Sequence, residues 1–204
     1  NGVLTIQPDQ GVPVDAPTCL GLLATSARIK TDTAAYYNAL NSTPYGFYEI
    51  RAKVPCVAGA WPAIWMMGRN GDWPARGEID IMEGKSGSRV ASAIHWSNGG
   101  NDAYEYGEAS GGNYANAYHV YKLHWLENYI AIYIDGVKVL EETNTTLNQS
   151  GSWAFNHPFF IILNNAMSPA GGFSDTYDGW STSQMKIDYV RYYQLNGQGQ
   201  VFNN

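Results

Sequence analysis

Positive charge is scarce in this chain. Only 12 of 204 residues are Lys or Arg, against 18 Asp and Glu, and the net charge is −6. No basic cluster gathers those few cations. A surface of this kind has little hold on a phosphate backbone, so nucleic acid is not expected as a partner. Long apolar runs are missing as well. None approaches the ~18 residues that a membrane-spanning helix needs, so no membrane partner is expected. Helical periodicity is absent from every long segment, which argues against a helix bundle. No internal repeat is evident. Cysteine is limited to Cys19 and Cys56. That count leaves one bridge or two free thiols open. A bridge would close a loop of about 37 residues, worth roughly 3–4 kcal/mol in the chain-entropy model. The first residue is Asn1 rather than Met, and no signal peptide is visible, so a processed form is expected.

What the chain does have is apolar and aromatic. Hydrophobic residues make up 45%, with 22 Gly, 15 Tyr and 7 Trp. This is a globular composition, long enough to bury one sizeable core, and residues 1–204 read as a single domain. Short alternating or apolar runs predict strands at 46–54, 63–67, 78–83, 90–96, 158–167 and 184–194. The run "YIAIYIDGVKVLEET" at 129–143 predicts a hairpin turning at Asp135-Gly136. Many short strands separated by Gly- and Pro-rich turns imply a sandwich or barrel. The stretch 98–117, "NGGNDAYEYGEASGGNYANA", reads as a long polar loop. Asn41, Asn144 and Asn148 open glycosylation triplets, which fits a secreted chain.

One motif stands against this background. "GEIDIMEG", residues 77–84, places Glu78, Asp80 and Glu83 within six positions of a strand otherwise apolar, in a chain only 15% charged. Strand side chains alternate faces, so Glu78 and Asp80 share a face and Glu83 should oppose them. One extra residue at Ile81-Met82, a β-bulge, would reset the alternation and return Glu83 to the face of the other two. The two Glu backbone sites would then lie about 13 Å apart. With both side chains leaning inward the carboxyl groups would approach about 5 Å, the separation that retaining glycosidases use. Asp80 between them supplies a hydrogen-bond partner and a like charge, which pushes neighbouring pKa values apart.

"GEIDIMEG", preceded by "WPAIWMM" and "DWPAR", resembles the bulged-strand branch of glycoside hydrolase family 16, the laminarinase-like endo-β-1,3-glucanases. The similarity also takes in "NGVLTI", "SARIKT", "YGFYEIRAKVP", "FFIILNNA" and "IDYVRYYQ", and so most of the chain. It implies an all-β jelly-roll sandwich of two curved antiparallel sheets with a concave substrate cleft. It implies Glu78 as nucleophile, Glu83 as general acid/base, and Asp80 as the residue that hydrogen-bonds the nucleophile. Trp73 matches a family tryptophan beside the cleaved bond, and His95 a family histidine that reaches substrate. Trp61 and Trp65, spaced for one sheet face, join them as expected sugar contacts, since indole rings pack on the C–H faces of sugars. His119, His124 and His157 are read as structural, and Glu105 and Glu108 as solvated.

The expected activity is retaining, endo-acting hydrolysis of a β-1,3-glucan by a secreted monomer, with a polysaccharide as its only partner. The alternatives are a mixed β-1,3-1,4-glucanase, an agar or carrageenan hydrolase, or a non-catalytic glucan-binding protein. No cofactor is expected for catalysis. The resemblance implies a structural calcium held partly by Asp188. Three departures from the family pattern stand out. Phe47 occupies a position where the family often has a cleft arginine. "LNNAMSPAGG" at 163–172 differs from the usual loop sequence, and the family's leading segment is expected to be missing ahead of "NGVLTI".

Overall fold

The computed structural model describes residues 2–7, 28–31, 45–55, 57, 59–85, 88–148, 153–167 and 183–194. Cys19, Cys56, Asn41 and the altered loop from 168 onward lie outside the described residues. The described chain is all strand and turn. Its strands are β1 (Leu4–Ile6), β2 (Arg28–Lys30), β3 (Gly46–Lys53), β4 (Ala60–Gly68), β5 (Glu78–Lys85), β6 (Arg89–Asn98), β7 (Asn101–Ser110), β8 (His119–Leu126), β9 (Tyr129–Ile134), β10 (Val137–Thr143), β11 (Phe159–Met167) and β12 (Met185–Tyr193). They form two six-stranded antiparallel sheets, ordered β1-β12-β3-β8-β9-β10 and β2-β11-β4-β5-β6-β7. This is the jelly-roll sandwich that the sequence predicts.

Period-two patterning decides which side of each strand meets the other sheet. Ile64, Met66, Ile79, Ile94 and Leu163 of one sheet join Ile50, Tyr121, Leu123, Ile132 and Ile187 of the other in a single core. The predicted hairpin is present as β9–β10. Asp135 and Gly136 both have positive φ, 49° and 82°, the primed turn that matches strand twist.

Two expectations fail. Residues 101–110 form strand β7, paired along its whole length with β6. Its outer face is polar, its inner face carries only Ala103, Glu105, Gly107 and Ala109, and it lies at the sheet edge, so the large apolar alternation that marks a half-buried strand is missing. Phe47 lies on β3, in the sheet opposite the carboxylates. Its ring packs on His124 and Tyr193, with centroids 4.7 and 5.6 Å away. An arginine is not missing from the cleft at that position.

Candidate active site

The bulge exists where the alternation requires it. On the β4 side Ile64 pairs with Met82 and Trp65 with Asp80, which leaves Ile81 as the extra residue. On the β6 side the register jumps between Asp80, opposite Ala93, and Glu83, opposite Ala91. Ile81 and Met82 are both fully buried in the core. A bulge disturbs the ladder locally and leaves backbone groups to be satisfied elsewhere. The buried Ser92 does so here: its Oγ donates to the Ile81 carbonyl at 2.9 Å. Ahead of the motif, Gly77 has φ +72°, and a Cβ there would come within 2.9 Å of the Ala154 carbonyl oxygen. Both the turn into the strand and its packing therefore favour glycine.

The register then lays three rows of side chains across β4, β5, β6 and β7. They are Met67–Glu78–His95–Tyr104, Trp65–Asp80–Ala93–Tyr106 and Ala63–Glu83–Ala91–Glu108. Paired residues in a sheet project to the same side, so all three carboxylates share one face. Each Glu is held by an indole. Trp73 Nε1 donates to Glu78 Oε2 at 2.7 Å, and Trp61 Nε1 donates to Glu83 Oε1 at 2.7 Å. Trp65 Nε1 donates to Asn164 Oδ1 at 2.7 Å, and the Asn164 amide donates to the Trp61 carbonyl at 3.3 Å. Trp61 and Trp65 do share the predicted face, but their indole N–H groups are already engaged.

His95 sits at the centre of the cluster. Its Nε2 lies 3.6 Å from Asp80 Oδ2, its Nδ1 lies 3.1 Å from Asp102 Oδ1, and its ring is 6.1 Å from that of Trp73. Glu78, Asp80 and His95 each place an atom within 4.8 Å of the other two.

Two hollows open on this face. One, of about 360 Å³, is lined by Arg28, Trp61, Trp65, Glu78, Asp80, Glu83 and Asn164 among others. The second, of about 330 Å³, is lined by Glu83, Lys85, Ala91, Ala93, His95, Tyr104 and Tyr106. Glu83 is the residue common to both.

Burial pushes the Asp80 carboxyl well above the usual carboxylate range, and the Glu83 and Glu78 charges push it further. Burial also raises Glu78, opposed by His95, by the Trp73 indole and by a hydrogen bond from Asp80. Glu83 is raised by burial and by Glu78, against the Trp61 indole, His95 and Lys85. The proton of the Glu78–Asp80 pair therefore rests on Asp80, whose hydroxyl donates to an ionised Glu78. A neutral acid at Asp80 thus supports a charged neighbour.

A stability prediction follows from this arrangement. The folded-state pKa of Asp80 is raised, so its contribution to stability is fully present below the unfolded carboxylate range. That contribution is lost as pH rises through the folded value. Asn keeps the donor toward Glu78 and has no proton to lose. Asp80→Asn is expected to raise the melting temperature near pH 8, by roughly 2–4 °C for each kcal/mol gained, and to gain little near pH 4. Thermal melts across that range check it. A difference between variant and wild type that does not change with pH would contradict a protonated Asp80.

The remaining site expectations divide. His119 lies 2.6 Å from Asp135, His124 packs between Phe47 and Tyr133, and His157 stacks on Phe159, all away from the carboxylates. Glu105 is exposed, but Glu108 accepts from Lys85 at 2.8 Å at the rim of the second hollow and is not merely solvated. Among the described residues, the side-chain partner of Asp188 is an arginine. Arg51 Nη1 holds its carboxylate at 2.6 Å, whereas Ca²⁺ takes six to eight oxygen ligands. The sequence reading missed Asn164, Tyr104 and Tyr106 as cleft residues. Asn164, polar within the apolar run "FFIILNNAM", carried a signal. The tyrosines were hidden in the segment read as a loop.

The sequence model described as Glycosyl hydrolases family 16 matches residues 14–191. The chain is 35% identical over 174 residues to "Glucan endo-1,3-beta-glucosidase A1" of Niallia circulans, covering 75% of this chain and 25% of that protein. It is 28% identical over 208 residues to "Endo-1,3-1,4-beta-glycanase ExsH" of Rhizobium meliloti, covering 98% of this chain and 40% of the relative. The chain thus spans well under half the length of these two curated relatives. Among solved structures it is similar to the catalytic domain of an endo-1,3-beta-glucanase (laminarinase) from Thermotoga petrophila. The TM-score is 0.75 at 31% identity, covering 96% of this chain and 79% of that one.

Proposed function

The chain belongs to glycosyl hydrolases family 16, and we propose that it is a secreted, monomeric, retaining endo-β-glucanase that cuts internal β-1,3 bonds of a laminarin-type glucan. The observation that carries the reading is the bulge at Ile81, which brings Glu83 round to the face of Glu78 and Asp80. In the first step a Glu78 oxygen attacks the anomeric carbon as its bond to the leaving sugar oxygen breaks. Glu83 gives its proton to that oxygen. In the second step water attacks the same carbon, Glu83 takes the water's proton, and the ester to Glu78 breaks. Asp80 keeps its proton throughout and hydrogen-bonds Glu78 in both states. The assignments match the environments: Glu83 is raised toward the protonated form an acid needs, and Asp80 favours the ionised form of Glu78. No step calls on a cofactor. The polysaccharide is the only partner in this reading, and a polymer too large to enter a cell accords with secretion.

A mixed β-1,3-1,4-glucan is the second substrate reading, favoured by the name of the Rhizobium relative. Reducing-end release on laminarin, lichenan and agarose separates the cases. Laminarin is expected to be cut fastest, by internal cleavage that lowers viscosity before small sugars accumulate. Activity on agarose alone would overturn the glucan assignment.

A further inference from the structure

The geometry points to β7 as the floor of the leaving-group half of the cleft, where Tyr104 and Tyr106 stack the sugars on the reducing-end side of the cleaved bond. The inference rests on the reading of Glu78 as nucleophile and Glu83 as acid. The nucleophile meets the anomeric carbon, so the sugar that becomes bound to the enzyme must lie in the hollow that contains Glu78. The acid meets the oxygen that joins that sugar to the next one. Glu83 lines both hollows, and Glu78 lines only the first. The second hollow, over β6 and β7, is therefore where the departing chain lies.

Its shape and surface suit a sugar chain. Between Glu83 and Tyr106, β6 presents only the methyl groups of Ala91 and Ala93 to this face, which leaves a trough. Beyond it stand Tyr104 and Tyr106, 56% and 59% exposed, with ring centroids 6.3 Å apart. Tyr104 continues an aromatic line from Trp73 through His95, with centroid spacings of 6.1 and 5.5 Å. Flat rings with few torsions offer sugar C–H faces a large contact at low entropic cost. Lys85, Glu108 and His95 give the trough a polar rim for hydroxyl groups. The strand is also seated firmly. The Cα of Gly107, between Tyr106 and Glu108, lies so close to β10 that a Cβ would fall 1.8 Å from the Val139 carbonyl oxygen. An exposed pair of rings on an edge strand could be a surface accident. The continuity with Glu83 and the bare alanine trough argue for a subsite.

The test uses reducing-end-labelled β-1,3-gluco-oligosaccharides of six sugars and the Tyr104→Ala/Tyr106→Ala double variant. Wild type is expected to leave the label mainly on fragments of two or more sugars. The variant is expected to shift cleavage toward the reducing end, so that the label appears mainly on a single sugar. Its kcat/KM on polymer should fall roughly tenfold per ring, from the energy of a buried aromatic contact, and further than on an aryl glycoside with the same glycon. An unchanged label distribution would overturn the assignment. A shift to longer labelled fragments would overturn it too, because the rings would then belong to the nucleophile's side. If wild type does not cut the gluco-oligosaccharide, the glucan reading has failed. The same label count on a β-galacto-oligosaccharide that it does cut then decides the placement.

Discussion

Glu78→Ala is expected to abolish turnover of polysaccharide and of activated aryl glycosides alike, by more than about 10⁴-fold. A better leaving group cannot compensate, because the lost group forms the new bond. The side chain is held for that role by the Trp73 indole at 2.7 Å and by the protonated Asp80 beside it. Retaining enzymes hold their two carboxyl groups about 5 Å apart, which leaves no space for a water between nucleophile and sugar, whereas inverting enzymes separate them by roughly 6.5–9.5 Å, and direct attack by Glu78 belongs to the first arrangement. Wild-type products followed by proton NMR, before mutarotation, should therefore be β-anomers. Azide added to the variant should enter the space Glu78 leaves and give the inverted α-glycosyl azide. An initial α-product from wild type, or brisk aryl-glycoside turnover by the variant, would remove Glu78 from the role.

The carboxylate face was legible because strand alternation is rigid. Three acids at spacings of two and three cannot share a side of a regular strand, so a shared face required a bulge between Asp80 and Glu83. What supports the bulge was not legible. Ser92 in "VASAIHW" looks like any small strand residue, and only pairing with β5 shows its hydroxyl on the Ile81 carbonyl. Trp61 and Trp65 were placed on the correct face by their spacing, but spacing says nothing of where an indole N–H points. Trp61 is bonded to Glu83 and Trp65 to Asn164. Strand β7 was missed for a thermodynamic reason. It buries little apolar side-chain surface, so its pairing rests on the β6 backbone and on the close approach at Gly107. Neither leaves a pattern in composition. The same polarity that hid the strand marks it as a wet surface where Tyr104 and Tyr106 stay open to solvent.

Glu83→Ala should divide substrates by leaving group. Polysaccharide turnover is expected to fall by about 10²–10⁴-fold, the usual worth of a general acid. A sugar alkoxide cannot leave unprotonated, whereas an activated phenolate can, so the first step on an aryl glycoside should be largely spared. The glycosyl-enzyme would then accumulate, since Glu83 is also the base that activates water. Azide needs no base and should restore turnover, releasing a β-glycosyl azide through a second inversion at the same carbon. The pH profile gives an independent reading. Burial holds Glu83 above the ordinary carboxylate range, which extends its protonated form, and with it wild-type activity, upward in pH. Activity is lost on the alkaline side as that proton leaves. In Glu83→Ala this alkaline limb should vanish for aryl glycosides, while the acid limb set by ionisation of Glu78 remains. Trp61 supplies the control. Its indole donates to Glu83 at 2.7 Å and favours the charged form, so Trp61→Phe should move the wild-type alkaline limb to higher pH. A limb that persists in Glu83→Ala, or one that Trp61→Phe moves downward, would mean that another group carries the proton to the leaving oxygen.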